Sequence, residues 1–132
     1  MVFRSITKTV VIEARPQKVF SFLVDASNWH LWAIVNVLSV STGDGRWWHM
    51  KTPAGTARLR IRPNAELGTL DHDFHAPDAQ WTVPARGVPN GTGSLFMITF
   101  FQPHAFSDRL FDEQVALVDR ELAKRKELME CL

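Results

Sequence analysis

The sequence predicts an α+β domain in which a curved, seven-stranded antiparallel sheet wraps around one long C-terminal helix, with two short helices after the first strand. Three observations lead there. Residues Ser5 to Glu13 alternate in polarity as a half-buried strand does. Between Ile34 and Gln102, turn-forming residues recur about every ten positions, the rhythm of strands joined by hairpins. From Ser107 onward a single apolar stripe runs to the end of the chain at helical spacing. Only that last helix carries an apolar face long enough to cover a sheet, so helix and inner sheet face must share the core.

In the first strand Val10 and Ile12 fall on one side and Thr7 and Thr9 on the other, and Ala14-Arg15-Pro16 ends it. Proline suits a first helical position, where its missing N–H costs nothing. Val19, Phe20, Leu23 and Val24 follow at helical spacing up to Asp25. Ser27 is placed to cap a second short helix carrying Trp29 and Trp32, three residues apart, on one face. Turns at Gly43-Asp44-Gly45, Thr52-Pro53-Ala54-Gly55, Pro63-Asn64, Ala76-Pro77-Asp78 and Pro89-Asn90-Gly91 then separate six more strands. Ser107 caps the closing helix, whose stripe of Phe111, Val115, Val118, Leu122 and Met129 is widened by Leu110, Leu117 and Leu128. Asp108 and Asp112 suit its positive end; Lys124, Arg125 and Lys126 suit its negative end.

The 132 residues make one domain, 1–132, large enough for a core without disulfides or metals. Fifteen Lys and Arg against fourteen Asp and Glu leave a net charge of +1, too little to drive counterion release from nucleic acid or attraction to an anionic membrane. Nucleic acid is therefore not an expected partner. Nine Phe and five Trp with no Tyr supply ring surface without a phenolic hydroxyl, which excludes phenolic acid chemistry. The single cysteine, Cys131, allows neither an internal disulfide nor a cysteine zinc cluster. Met1-Val2-Phe3-Arg4 leads into the first strand without a signal-peptide pattern, and no run approaches the roughly 18 apolar residues of a membrane span. The expectation is a cytoplasmic protein with no integral membrane segment.

Turn geometry and charge together set the faces of the middle strands. A turn pairing Arg62 with Thr69 puts Arg60 opposite Asp71 and Arg58 opposite Asp73, opposite charges across one solvated face. Leu59, Ile61, Leu70, His72 and Phe74 then point inward, joined along the ladder by Trp81, Val83, Ala85, Phe96, Ile98 and Phe100, and through the preceding hairpin by Trp48 and Met50. A slip of one residue would bury three arginines with no acid to offset them. The last strand is apolar on both faces, Leu95, Met97 and Phe101 included, which fits a homodimer contact or cover by another segment.

The run Val10-Val11-Ile12-Glu13-Ala14-Arg15-Pro16, followed by Val19-Phe20, resembles the opening of START-like proteins, where a strand ends in Ala and a small helix begins with Val and Trp or Phe. Asn28-Trp29 with Trp32 resembles their tryptophan-bearing second helix. The stretch Gly68-Thr69-Leu70-Asp71-His72-Asp73-Phe74, then Val83-Pro84-Ala85-Arg86 and the terminal helix, complete a pattern similar to bacterial members of the polyketide cyclase/dehydrase branch of the START-like, or SRPBCC, superfamily. The resemblance covers nearly the whole chain. It implies a helix-grip fold with an elongated cavity between sheet and long helix, usually taking hydrophobic or aromatic small molecules. Such families include aromatase/cyclases, plant hormone binders, lipid carriers and chaperone activators, so the activity stays open.

The residues expected around that cavity are Trp29, Trp32, Trp48, Met50, Leu59, Leu70, His72, Phe74, Trp81, Val83, Phe96, Ile98, Phe100, Val115, Val118 and Leu122. His72 is the polar residue among them; it suits general acid/base work or orientation of a ligand carbonyl, or else it is a core histidine bonded to backbone or water. The tryptophans either stack on a flat ligand or belong to the core. Asp71, Asp73 and His75 share the outer face and look superficially like a metal site, but arginine partners explain the acids, and His72 and His75 lie on opposite sides of one strand. Neither metal nor cofactor is expected. Trp47 and His49 face outward, Trp47 beside Arg60. Arg86 either anchors an anionic ligand group or pairs with an acid outside. There is no phosphate-binding glycine loop, nucleophile elbow, His-Glu-x-x-His or dinucleotide fingerprint.

The function expected is binding of a small hydrophobic molecule, aromatic or polyketide- or lipid-like, in the cavity. The alternatives are a cyclase/dehydrase-type enzyme using His72 as general acid/base, and an interaction or chaperone-regulating protein whose cavity is vestigial.

Overall fold

The computed structural model describes residues 1–132. β1 (Ser5–Ile12) leads into α1 (Pro16–Leu23), which begins on Pro16 as expected. A 3₁₀ turn (Ala26–Asn28) and α2 (Trp29–Trp32) follow. Asp25, not Ser27, supplies the cap here: its Oδ1 accepts from Ser27 N at 3.0 Å and from Ser27 Oγ at 2.6 Å. The remaining strands are β2 (Ser39–Thr42), β3 (Trp48–Thr52), β4 (Gly55–Asn64), β5 (Thr69–His75), β6 (Gln80–Val83), β7 (Ala85–Asn90) and β8 (Gly93–Phe101), and α3 (Asp108–Cys131) closes the chain. Ser107 caps α3 by accepting from Leu110 N at 3.1 Å.

All neighbouring strands are antiparallel, in the order β1-β8-β7-β5-β4-β3-β2, with β6 paired to β5 beside this path. The sheet thus has eight strands where the turn signals suggested seven. The extra one comes from Pro84, which has no N–H to give a ladder. β6 pairs with β5 up to Val83, and beyond Pro84 the chain leaves for β8, with Ala85 N donating to Asp71 Oδ1 at 3.0 Å. The β4–β5 register also differs from expectation by two residues: Arg62 stands opposite Asp71, Arg60 opposite Asp73 and Arg58 opposite His75. A shift of two keeps every side chain on its expected face.

One glycine is required by geometry. Gly68 ends the β4–β5 connection at φ 71°, and a Cβ there would stand 2.5 Å from the Gly87 carbonyl oxygen. Only glycine tolerates both the left-handed backbone and that approach.

α3 lies along β1 in the same direction, and the contacts between them have a common spacing. Arg4 pairs with Asp112 at 2.7 Å, Lys8 with Asp119 at 3.2 Å, and Lys126 Nζ donates to Val11 O at 2.9 Å. Seven helical residues rise about 10.5 Å, the length of three to four strand residues, so the ladder of contacts stays in step. At the end of α3, Lys18 donates to the Leu132 carbonyl oxygen. Lys124 and Lys126 pair with Glu127 and Glu130. Arg125, expected to complement the helix terminus, is instead buried at 3% exposure against the sheet.

Candidate functional site

Apolar packing in the interior is not continuous. The larger cluster lies beneath α1, α2 and the C-terminal half of α3, and a smaller one comprises Phe106, Phe111 and Val115. Val115 belongs to the smaller cluster and Val118, one turn later on α3, to the larger. Both face a cavity of about 360 Å³ between sheet and helix. This volume falls in the range of small-molecule sites. β5 contributes His72 and Phe74 to its wall, β6 Trp81 and Val83, β8 Ile98 and Phe100, and α2 Trp29 and Trp32. Exposed Pro53, Ala54 and Asp78 mark its rim.

The two ends of the cavity differ in chemistry. Around Trp81 aromatic rings predominate: its centroid is 6.3 Å from Phe100, 5.4 Å from Phe106 and 6.3 Å from Phe111, the last nearly parallel. About ten residues further along α3, roughly 15 Å, the other end is polar. There Trp29 meets Trp32 at 4.7 Å and the His72 ring edge-on at 5.0 Å. The guanidinium of Arg125 lies 3.6 Å from the Trp32 ring centre and 5.1 Å from that of Phe96.

Glu121 shares this end and is also buried, at 4% exposure. Its Oε2 accepts from Val35 N at 3.2 Å and Asn36 N at 3.3 Å, and its Oε1 from Asn36 Nδ2 at 3.2 Å. The carboxylate therefore fastens the turn after α2 to α3, with its oxygens committed to that turn. Burial raises its pKa, against the pull of Arg125 and these three donors. Burial lowers the pKa of Arg125 to about 10, with Glu121 acting the other way, and the guanidinium remains charged near neutral pH.

His72 is held in one tautomer. Its Nδ1 stands 2.9 Å from the Leu70 carbonyl oxygen, so Nδ1 carries the proton and Nε2 keeps its lone pair. Burial lowers its pKa to about 4; the Leu70 carbonyl opposes this and the positive field of Arg125 adds to it. The imidazole is thus neutral near pH 7.

Ten of the sixteen residues expected around the cavity lie on its wall: Trp29, Trp32, His72, Phe74, Trp81, Val83, Ile98, Phe100, Val115 and Val118. Met50, Leu59, Leu70, Phe96 and Leu122 lie instead in the packed core, and Trp48 packs partly buried against it. They share the inward face, but neighbouring side chains close over them and leave no open volume. Arg86 is outside, exposed, with Nε donating to Leu67 O at 2.9 Å. Trp47 lies outside beneath Arg58 and Arg60, at 4.3 and 4.8 Å, with the His75 ring 4.7 Å away. Asp73 accepts from both Arg60 and Arg62 on that same face.

Asn36, Glu121 and Arg125 were not anticipated. One signal marks Arg125: the stripe Phe111, Val115, Val118, Leu122, Met129 alternates four and three, and its missing member is position 125. An arginine where the helix face calls for an apolar residue is a polar insertion into the core.

The chain has the START-like, helix-grip fold. A protein XoxI from Bacillus cereus superposes with a TM-score of 0.79 at 17% identity, covering 98% of this chain and 96% of that one. The aromatase/cyclase Zhui from a Streptomyces species gives 0.76 at 14%, covering 97% and 94%. Ara h 8.0201 gives 0.72 at 10%, covering 98% and 99%. No family model matches the sequence, and no curated protein matches it significantly. No helix is long and apolar enough to cross a membrane.

Proposed function

We propose that the protein binds a small hydrophobic molecule, with aromatic surface, in the cavity between the sheet and α3. The observation that carries this reading is the cavity of about 360 Å³, of whose 24 lining residues 16 are hydrophobic. Burying apolar ligand surface there contributes roughly 25 cal/mol per Å², and the rings at the Trp81 end offer faces and edges to a flat molecule. Binding in the cytoplasm is the setting consistent with a lone cysteine.

Trp29, Trp32 and Trp81 report on occupancy. Titration with fatty acids, flavonoids and polyketide-like aromatics is expected to give a saturable change in tryptophan fluorescence with at least one class. Native mass spectrometry of freshly purified protein tests for a retained molecule. No response to the whole panel together with no retained molecule would overturn the binding reading and leave an interaction protein.

A second reading, an enzyme of cyclase/dehydrase type, draws on His72 and on the similarity in fold to the aromatase/cyclase Zhui. His72 at about 4 has no proton on Nε2 to donate near pH 7 and is a weak base there. Its part is to accept a hydrogen bond from a ligand hydroxyl. His72→Ala abolishing turnover of a polyketide-like substrate while only weakening its binding would favour the enzyme.

A further inference from the structure

We infer that the ligand of the cavity is an organic acid, a carboxylate on an apolar and mainly aromatic body, and that Arg125 receives the carboxylate while the body extends toward Trp81. The inference rests on the cavity being a ligand site and adds the chemical class of the ligand.

Four buried side-chain nitrogen or oxygen atoms in the protein lack a hydrogen-bond partner, and three belong to two touching residues on this cavity wall: Trp32 Nε1, Arg125 Nε and Arg125 Nη1. All three are donors. An unpartnered donor closed off from water is costly, and buried polar groups in folded proteins are nearly always bonded. Here the shortfall is concentrated at one end of one cavity, and an acceptor-bearing ligand would correct it.

The protein's own groups do not serve Arg125. Glu121, one turn back on α3, gives its oxygens to Val35 and Asn36 and stands beyond ion-pair distance from the guanidinium. The rings of Trp32 and Phe96 cover the guanidinium near its faces. Its N–H groups lie in the plane, and that edge is the one a carboxylate uses, two parallel bonds at a time. Nη2 also has no protein acceptor and is the guanidinium nitrogen not sealed by protein, so an oxygen arriving from the cavity meets it first. A neutral acceptor would satisfy an N–H but leave the positive charge unmatched where water is excluded; an anion answers both.

The test compares two probes with one bicyclic body, 2-naphthoate and 2-naphthalenemethanol, by isothermal titration calorimetry near neutral pH. The wild-type protein is expected to hold the acid about 10-fold or more tighter than the alcohol, the scale of a charged hydrogen-bonded contact. Arg125→Met should weaken the acid by about 10-fold or more and move the alcohol by less than about 2-fold. Should Arg125→Met lose its near-ultraviolet dichroism, Arg125→Lys decides: it keeps the charge without the planar fork, and should lose a few-fold in acid affinity with the alcohol unmoved. Equal wild-type affinity for the two probes, or an acid preference that survives Arg125→Met, overturns the anion anchor and leaves the apolar cavity standing. Failure of both probes to bind the wild-type protein counts against the cavity as a ligand site as well.

Discussion

The two faces of β5 treat charge in opposite ways. His72 and Asp73 are consecutive and almost equally covered, at 7% and 6% exposure. Both have lowered pKa values, yet one is thereby neutral and the other charged. On the inner face burial drives His72 to shed its proton, since only a backbone carbonyl is at hand. On the outer face burial would raise Asp73, but the hydrogen bonds and charges of Arg60 and Arg62 outweigh it. The same contrast separates the arginines: Arg60 and Arg62 share a carboxylate and remain part-exposed, whereas Arg125 is buried on the cavity wall with no protein acceptor for Nε or Nη1. A buried charge whose partners are all in the fold is accounted for by the fold; one without partners points to something the fold receives.

The largest way to break this comparison is acid. Between pH 6.5 and about 4 the unfolded chain binds a proton at His72 and the folded chain does not, so stability falls as pH falls through that window. Integrated over it, His72 alone removes about 3 kcal/mol. Glu121 works the other way: with its folded pKa raised, its contribution is present at low pH and lost as pH rises through that folded value. Asp73 acts in the same sense as His72 at lower pH, its contribution vanishing as pH falls through its depressed folded value. Denaturant unfolding at steps from about pH 7 to about pH 4 should show a steep loss for the wild-type protein and a shallower one for His72→Gln. Equal slopes would mean that the imidazole is not held neutral by burial.

The outer face yields a smaller effect. Asp73→Ala removes the acceptor shared by Arg60 and Arg62, but their side chains are 38% and 46% exposed and water takes over much of the lost contact. The expected cost is about 1–2 kcal/mol near neutral pH, read as a lower denaturant midpoint. A loss of about 4 kcal/mol or more would show that this face is as dry as the inner one.

The faces themselves were readable in the sequence, because charged and apolar residues alternate along β4 and β5 and a strand has only two sides. The register was off by two, a displacement that alternation cannot detect. Pro84 was in plain view, yet its effect depended on which strand would otherwise have taken the missing N–H. The outline of the cavity was legible only in part: inward direction can be deduced for Leu59 or Phe96, but whether neighbours close over them is decided by packing in three dimensions. Arg125 was hidden by a general expectation for basic residues near a helix C-terminus, although the break in the α3 stripe at 125 was there to be seen, and Glu121 lies beside that stripe with no sequence signal to distinguish it from a solvated acid.

The smallest effect on stability sharpens the comparison most, because its sign is unusual. A buried arginine without an acceptor contributes packing through its stem and stacking on Trp32 and Phe96, but its desolvated charge works against the folded state. Arg125→Met keeps a long flexible apolar side chain and removes that charge. The ligand-free variant should therefore match the wild-type melting temperature or exceed it, by the equivalent of about 1 kcal/mol, in contrast to the losses at His72 and Asp73. Glu121 retains its three donors from the turn after α2, so its carboxylate is not orphaned by the change. A drop of about 3 kcal/mol on Arg125→Met would instead show that the fold depends on this charge, and would remove the contrast between the paired arginines outside and the unpaired one within.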